Sequence, residues 1–141
     1  MADAQPPVAK SEIAALLEAR GILPTAQRVE IASLLLATPR HVSADHVLTQ
    51  ARQRGLAISK ATVYNTLGLF VERGLMREVI VDSGCVFYDS NTQPHHHFYN
   101  VDDGTLADVP TVDVAIARLP TPPPGTVTDG VEIVIRVRNR S

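Results

Sequence analysis

Four stretches in the first half of the chain repeat apolar residues at the spacing of an amphipathic helix. In the clearest one, residues 43–55, apolar side chains recur at i, i+3, i+4 and i+7 from Ala44. A serine that can cap the helix precedes this stretch and a glycine ends it. The predicted helices are 11–20, capped by Ser11; 24–39, opening near Pro24 or Thr25 and closed by Pro39; 43–55, capped by Ser43; and 59–74, running from Ser59 to Gly74.

The last of these helices combines an apolar stripe with a polar and aromatic face near its start, where Lys60, Tyr64 and Asn65 lie. Two β-rich stretches, "LMREVIVD" and "CVFYDS", follow it and are joined through Ser83 and Gly84, which is typical of a β-hairpin. Helix, short turn, helix and hairpin is the order of a winged helix, whose second helix reads the DNA major groove. From periodicity alone, a helical bundle with an appended hairpin stays open as an alternative.

Charge changes sign along the chain. Residues 1–80 hold nine Lys or Arg against seven Asp or Glu, whereas residues 81–141 hold four against eight. The net charge of −2 therefore averages a mildly basic half and an acidic half, which favours two modules with different tasks. Apolar runs stay well short of the about 20 residues of a membrane span. The first residues lack a signal-peptide pattern, so we expect a cytoplasmic protein without a membrane partner.

Three of the five histidines are consecutive, and acidic residues follow them closely. Alternate residues of a strand share a face, so His95 and His97 are expected to point together and His96 away. Imidazole and carboxylate ligands suit Fe²⁺, Mn²⁺ or Zn²⁺. A polar strand edge with solvent-facing rings is the structural alternative. A zinc-dependent hydrolase is a remote functional alternative, since nothing nearby supplies a convincing general base.

The blocks "GILPTAQRVEIASLL", "HVSADHVL" and "ISKATVYNTLGLFVERGLM", at this spacing, resemble the ferric uptake regulator (Fur) family of transcription factors. The resemblance implies an α+β protein that is not an enzyme. It implies a winged-helix DNA-binding domain over residues 1–90 and a small α/β domain for dimerisation and metal or haem sensing over 91–141. The strands of the second domain would be "HHHFYNVDDGTLADV" and "GVEIVIRVRN", with a short helix, "VDVAIARL", between them.

The resemblance also implies site residues and partners. The expected partners are a second copy of the chain and an AT-rich, pseudo-palindromic operator in double-stranded DNA. The family's regulatory metal site maps onto His41, Asp89, His95, His97 and Asp108. The expected DNA contacts are Arg28, Lys60, Tyr64 and Asn65.

Missing cysteines narrow the resemblance. Many family members hold a structural zinc with two CxxC pairs, and the first pair would fall on Asn100 and Asp103, so no structural zinc held by four cysteines is expected. The remaining pattern is similar to the iron response regulator (Irr) subfamily, which implies haem binding by His95 and His97 and a response to iron through haem. Direct use of Fe²⁺ or Mn²⁺ as corepressor is the alternative. The single cysteine, Cys85, lacks a following proline and is expected to be a strand residue without chemistry.

Overall fold

The chain divides into two compact units, residues 1–92 and 93–141. The computed structural model describes residues 9–37, 41–82 and 85–141. The sequence predicts that residues 1–90 bind DNA and that residues 91–141 serve dimerisation and sensing. These two functional assignments stay predictions. In the described part of the chain, each helix lacks the length and apolar character required to cross a bilayer.

Four helices make up most of the first unit. They are α1 (Lys10–Ala19), α2 (Ala26–Ala37), α3 (Ala44–Gln53) and α4 (Lys60–Glu72). The two predicted serine caps of α3 and α4 are confirmed. Ser43 Oγ accepts the N–H of His46 at 3.2 Å, and Ser59 Oγ accepts the N–H of Thr62 at 3.1 Å. Each cap satisfies one of the N–H groups that a helix start leaves without an intrahelical acceptor.

The predicted start of α1 at Ser11 is wrong. The helix begins at Lys10, because the carbonyl of Ala9 already accepts the N–H groups of Glu12 and Ile13. Lys10 also forms an ion pair with Glu30 of α2. The start of α2 agrees with the prediction, whereas its predicted end at Pro39 lies outside the described residues.

The core of this unit lies between the helices. Its fully buried apolar side chains include Ile13, Leu17, Ile31, Leu34, Val47, Val63, Leu67 and Phe70. Burying a large apolar side chain contributes about 1.5–3 kcal/mol. Tertiary packing of the helices, more than their local propensity, therefore holds the unit together.

A small antiparallel sheet completes the winged helix. Its strands are β1 (His41–Val42), β2 (Arg77–Asp82) and β3 (Cys85–Asp89), in the order β1-β3-β2. The predicted hairpin is confirmed, with Val79 opposite Phe87 in the β2–β3 pair. Ser83 and Gly84, which join the two strands, lie outside the described residues. The short β1 adds to the other edge of β3 and puts His41 opposite Asp89.

The second unit is a three-stranded sheet of β4 (His96–Asn100), β5 (Leu106–Val109) and β6 (Val134–Val137), in the order β5-β4-β6. Strand β4 pairs antiparallel with β5 and parallel with β6. Within the fully described stretch 85–141, the predicted helix "VDVAIARL" is wrong, since one 3-10 turn at Thr111–Asp113 replaces it. Val112 is 90% exposed and Leu119 51% exposed, so the described residues do not provide the packing that an eight-residue helix needs.

Candidate functional site

Strands β4 and β5 bring two imidazoles to one carboxylate. His97 lies opposite Asp108 in the antiparallel register, with its Nε2 3.7 Å from Asp108 Oδ1. His95, just before the strand, places its own Nε2 3.1 Å from the same oxygen. The two rings meet edge to face, with centroids 4.4 Å apart. One ligand atom of each residue lies within 4.8 Å of the other two, so the second unit alone offers two nitrogen donors and one oxygen donor.

Hydrogen bonding determines which ring nitrogen of His95 carries a proton. Nδ1 lies 2.6 Å from the backbone oxygen of Gln93, and a carbonyl oxygen can only accept. A neutral His95 therefore carries its hydrogen on Nδ1 and presents the Nε2 lone pair to Asp108. Two acceptors 3.1 Å apart repel each other unless a cation, either a proton or a metal ion, lies between them. Metal-binding histidines commonly donate their second N–H to a backbone carbonyl in this way.

His96 takes a different direction from its neighbours. Its Nδ1 accepts the backbone N–H of Ile133 at 3.0 Å. The ring is buried, so the alternative of solvent-facing imidazoles is wrong for all three histidines. The prediction that His95 and His97 share a face while His96 points away is confirmed, as strand alternation requires.

The first unit contains a second pair of the same donor types. His41 Nε2 lies 3.2 Å from Asp89 Oδ2, because β1 and β3 place the two residues opposite each other. Asp89 is fully buried, and its Oδ1 accepts the N–H of Asn91 at 2.8 Å. The neighbouring Tyr88 is also buried, and burial raises the pKa of its phenol. The buried carboxylate thus has a hydrogen bond and an imidazole to compensate for its lost hydration.

Arg28 and Asn65, two of the predicted DNA contacts, line one open groove of about 510 Å³ between the start of α2 and α4. Arg28 Nη1 donates to the backbone oxygen of Leu23 at 3.0 Å and so also holds the loop before α2. Gln27 and Thr62 line the same groove. Sequence reasoning missed Thr62 because its position, three residues after Ser59, has a capping role. Nothing in the sequence distinguished Gln27.

Lys60 and Tyr64, the other two predicted contacts, lie at the exposed start of α4. Lys60 Nζ is 5.6 Å from the centroid of the Tyr64 ring and 4.0 Å from Asp45 Oδ1. Both the lysine and the aspartate are well exposed, so this ion pair contributes little to stability. The lysine can therefore exchange this carboxylate for another anion at small cost.

Known proteins resemble this chain in sequence. The sequence profile described as "Ferric uptake regulator family" matches residues 19–117. The chain belongs to the ferric uptake regulator family. The peroxide-responsive repressor PerR of Staphylococcus epidermidis is 30% identical over 97 residues, which cover 69% of this chain and 65% of that repressor. The PerR of Staphylococcus aureus (strain Mu50) is 31% identical over 99 residues, covering 70% and 66%. The chain thus spans just under two thirds of the length of these relatives.

Solved structures agree with this family assignment. The ferric uptake regulator from Pseudomonas aeruginosa with manganese matches with a TM-score of 0.66 and 25% identity, over 90% of this chain and 97% of that one. The Vibrio cholerae ferric uptake regulator matches with a TM-score of 0.69 and 19% identity, over 89% and 98%. This second likeness concerns the fold alone. The Fur-type α+β architecture, with a winged helix followed by a small second domain, is therefore shown.

Proposed function

We propose that this Fur-family protein is a transcriptional regulator whose DNA binding responds to a metal ion at its histidine cluster. One observation carries the proposal, namely the convergence of His95 Nε2 and His97 Nε2 on the Oδ1 of Asp108. With Nδ1 of His95 committed to Gln93, the Nε2 lone pair and the carboxylate favour a cation between them, and a divalent metal ion would supply one. Mixed imidazole and carboxylate ligands suit Fe²⁺, Mn²⁺ or Zn²⁺, so these three residues fit a divalent metal ion.

The proposed ligand set has five members. The family resemblance assigns His41 and Asp89 to the same ion as the three residues of the second unit, and we include that assignment in the proposal. The chemistry of the first pair supports it, since an imidazole nitrogen and a carboxylate oxygen lie 3.2 Å apart there. A bound divalent ion would supply the positive charge that these carboxylates and ring nitrogens share.

The chain's own residues prepare this site. Gln93 fixes the ring of His95 and leaves Nε2 as a donor atom. The β4–β5 register sets His97 opposite Asp108, and the carboxylate faces both rings. Asn91 donates to Asp89 and so orients the second carboxylate. Supporting hydrogen bonds of this kind raise metal affinity because the ligands are held before the ion arrives.

DNA recognition is proposed for the winged helix. Asn65 and Thr62 are suited to hydrogen bonding with base edges or phosphates, and Lys60 and Tyr64 extend the same exposed face. The excess of basic residues in this half is small, so one copy has a weak electrostatic attraction for DNA. A homodimer would double this electrostatic attraction. The proposal therefore includes a homodimer bound to a pseudo-palindromic, AT-rich operator.

Haem binding by His95 and His97, and with it the Irr subfamily, is the second candidate. Two imidazoles on one face favour it. However, the ring centroids are only 4.4 Å apart, which leaves no space for a porphyrin between them, so only one of the two imidazoles would hold the haem iron. A haemin titration tests this directly. A saturable Soret shift that is lost in His95→Ala or in His97→Ala supports haem at this site, whereas a shift unaffected by either substitution excludes this site.

The proposed function is tested by DNA binding with metal-free, Mn²⁺-loaded and haem-loaded protein in parallel. Duplexes selected from a random pool serve as probes, and His46→Ala, which changes a histidine of α3 outside the proposed ligand set, is the matched control. We expect a sequence-specific, salt-sensitive complex whose affinity changes with the bound group and ceases to change in Asp108→Ala. Failure to form a specific complex in all three states would refute the proposal. Family membership favours this function over the zinc-dependent hydrolase.

A further inference from the structure

The backbone of Ile133, which immediately precedes β6, forms two hydrogen bonds with the histidines of residues 95–97. Its N–H donates to His96 Nδ1 at 3.0 Å, and its carbonyl accepts the N–H of His97 at 3.0 Å. One of these bonds is made by the side chain of His96 and the other by the backbone of a proposed ligand. The strand that carries the ligands is therefore attached to β6 at the ligand positions themselves.

Strand β6 needs such an attachment. It is four residues long and pairs parallel with β4, and the segment between β5 and β6 contains one 3-10 turn as its regular structure. Bringing the ends of such a long connection together costs conformational entropy, which the contacts of β6 must offset. Beyond the other end of the strand, Asn139 attaches β6 to the turn after β4 by two more hydrogen bonds. Its Oδ1 accepts from Asn100 Nδ2 at 2.8 Å, and its N–H donates to Asp102 Oδ2 at 2.8 Å.

We propose that His96 is a positioning residue for the metal site, which acts through Ile133. By accepting the Ile133 N–H, it fixes β6 along the edge of β4 and so restrains the backbone that carries His95 and His97. His96 itself does not bind the ion. This inference rests on the proposed function, since it assumes that the two flanking histidines are ligands.

Two substitutions at position 96 separate the hydrogen bond from the size of the side chain. His96→Leu removes the acceptor and keeps much of the volume, whereas His96→Asn retains an acceptor oxygen near the position of Nδ1. If the leucine variant does not fold, His96→Gln replaces it, because its amide lies one carbon further from the backbone. Asn139→Ala is the matched control, since it weakens the attachment at the other end of β6.

The first readout is hydrogen exchange of the Ile133 amide in metal-free protein, and the second is titration with Co²⁺, whose visible spectrum reports its ligands. We expect His96→Leu to accelerate exchange by about fivefold, the equivalent of one lost hydrogen bond. We expect Co²⁺ affinity to fall by about 10–100-fold, as for other residues that orient ligands. The spectrum at saturation should stay unchanged, and His96→Asn should restore both values. Asn139→Ala should leave the affinity within about threefold of wild type, a smaller change than any expected for a supporting residue.

The outcomes distinguish this inference from the function on which it rests. Wild-type affinity in His96→Leu would overturn the role of His96 and leave the metal site intact. A changed spectrum at saturation would also overturn it, because His96 would then be a ligand. An equal loss of affinity in Asn139→Ala would reduce His96 to general stabilisation of β6. Failure of the wild-type protein to bind Co²⁺ would remove the metal site and the inference together.

Discussion

Replacing Asp108 by asparagine should raise the stability of the metal-free protein while it weakens metal binding. Asp108 Oδ1 lies 3.1 Å from His95 Nε2 and 3.7 Å from His97 Nε2. Because the Nδ1 hydrogen of His95 is donated to Gln93, a neutral His95 meets the carboxylate with a lone pair. An amide can turn its NH₂ group towards this lone pair and donate a hydrogen bond. With metal removed and His95 neutral, the substitution therefore replaces a repulsive contact with an attractive one.

The size of both effects follows from the structure. A hydrogen bond contributes about 0.5–1.5 kcal/mol to stability. The Asp108 side chain is 31% exposed, so water competes for it, and a gain in the lower half of that range is expected. Loss of a group that merely orients a ligand lowers metal affinity by about 10–100-fold. Loss of the ligand oxygen itself should therefore cost at least about 100-fold, or about 2.8 kcal/mol.

Urea unfolding with a chelator present, in mildly alkaline buffer that disfavours a proton between the two side chains, measures the first effect. Mn²⁺ titration of the folded protein measures the second. Asp129→Asn, which removes the same charge from an exposed position, is the control and should change neither value. A metal-free Asp108→Asn protein that is less stable than wild type would refute a neutral His95 with its hydrogen on Nδ1 in the metal-free protein. Metal affinity within tenfold of wild type would refute Asp108 as a ligand.

Three further tests address other parts of the molecule. Asp89→Ala should lower the free energy of unfolding in urea by about 2–5 kcal/mol, since His41 and the Asn91 N–H lose a buried acceptor, and an unchanged value would contradict this. In DNA-binding assays, Asn65→Ala should cost about 1–3 kcal/mol at one operator position, whereas Lys60→Ala should reduce the salt slope by about 1 on every sequence. A uniform loss from Asn65→Ala would count against base contact. Hydrogen bonds from the hydroxyl and N–H of Thr105 lower the pKa of Asp103. The stability that these bonds give is therefore fully present above 3.8, the pKa of this carboxyl in the unfolded chain, and is lost as pH falls through its lower pKa in the folded protein. Asp103→Ala should therefore flatten the acid side of the stability–pH curve, and an unaltered curve would refute this.

Local hydrogen bonds made some elements predictable from sequence. The serine caps of α3 and α4 depend on residues three positions apart, and both were predicted. The shared face of His95 and His97 was predicted from strand alternation, and it holds although His95 lies one residue before β4. In contrast, the start of α1 depends on a backbone carbonyl, and the structure after β5 depends on tertiary packing. The pattern of apolar and polar side chains predicts neither of them. Ala9 extends α1 by its backbone, and Val112 finds no burial within the described residues, so neither outcome was visible in the periodicity.

The candidate site was predictable in its residue types and not in its hydrogen bonds. Histidine and aspartate at family spacing indicated the candidate metal ligands before any geometry was known. The bond from His95 to Gln93 depends on how the chain turns into β4. The bond from Ile133 to His96 spans 37 residues and arises from a parallel strand pair that no local pattern encodes. The two hydrogen bonds behind the inferred proton position of His95 and the proposed role of His96 therefore came from the structure.

In the turn after β4, Asn100 and Asp103 occupy the positions where many family members carry the first pair of zinc-binding cysteines. Asn100 Oδ1 accepts the N–H of Asp102 at 2.9 Å, and its Nδ2 donates to Asn139. Asp103 accepts from both the N–H and the hydroxyl of Thr105. These are mostly exposed hydrogen bonds, which are weak beside the about 10–16 kcal/mol of a structural zinc. A sheet of three short strands held this weakly needs further support. Apolar side chains left exposed on the same unit, above all the valine at position 112, are consistent with the proposed second copy of the chain providing it.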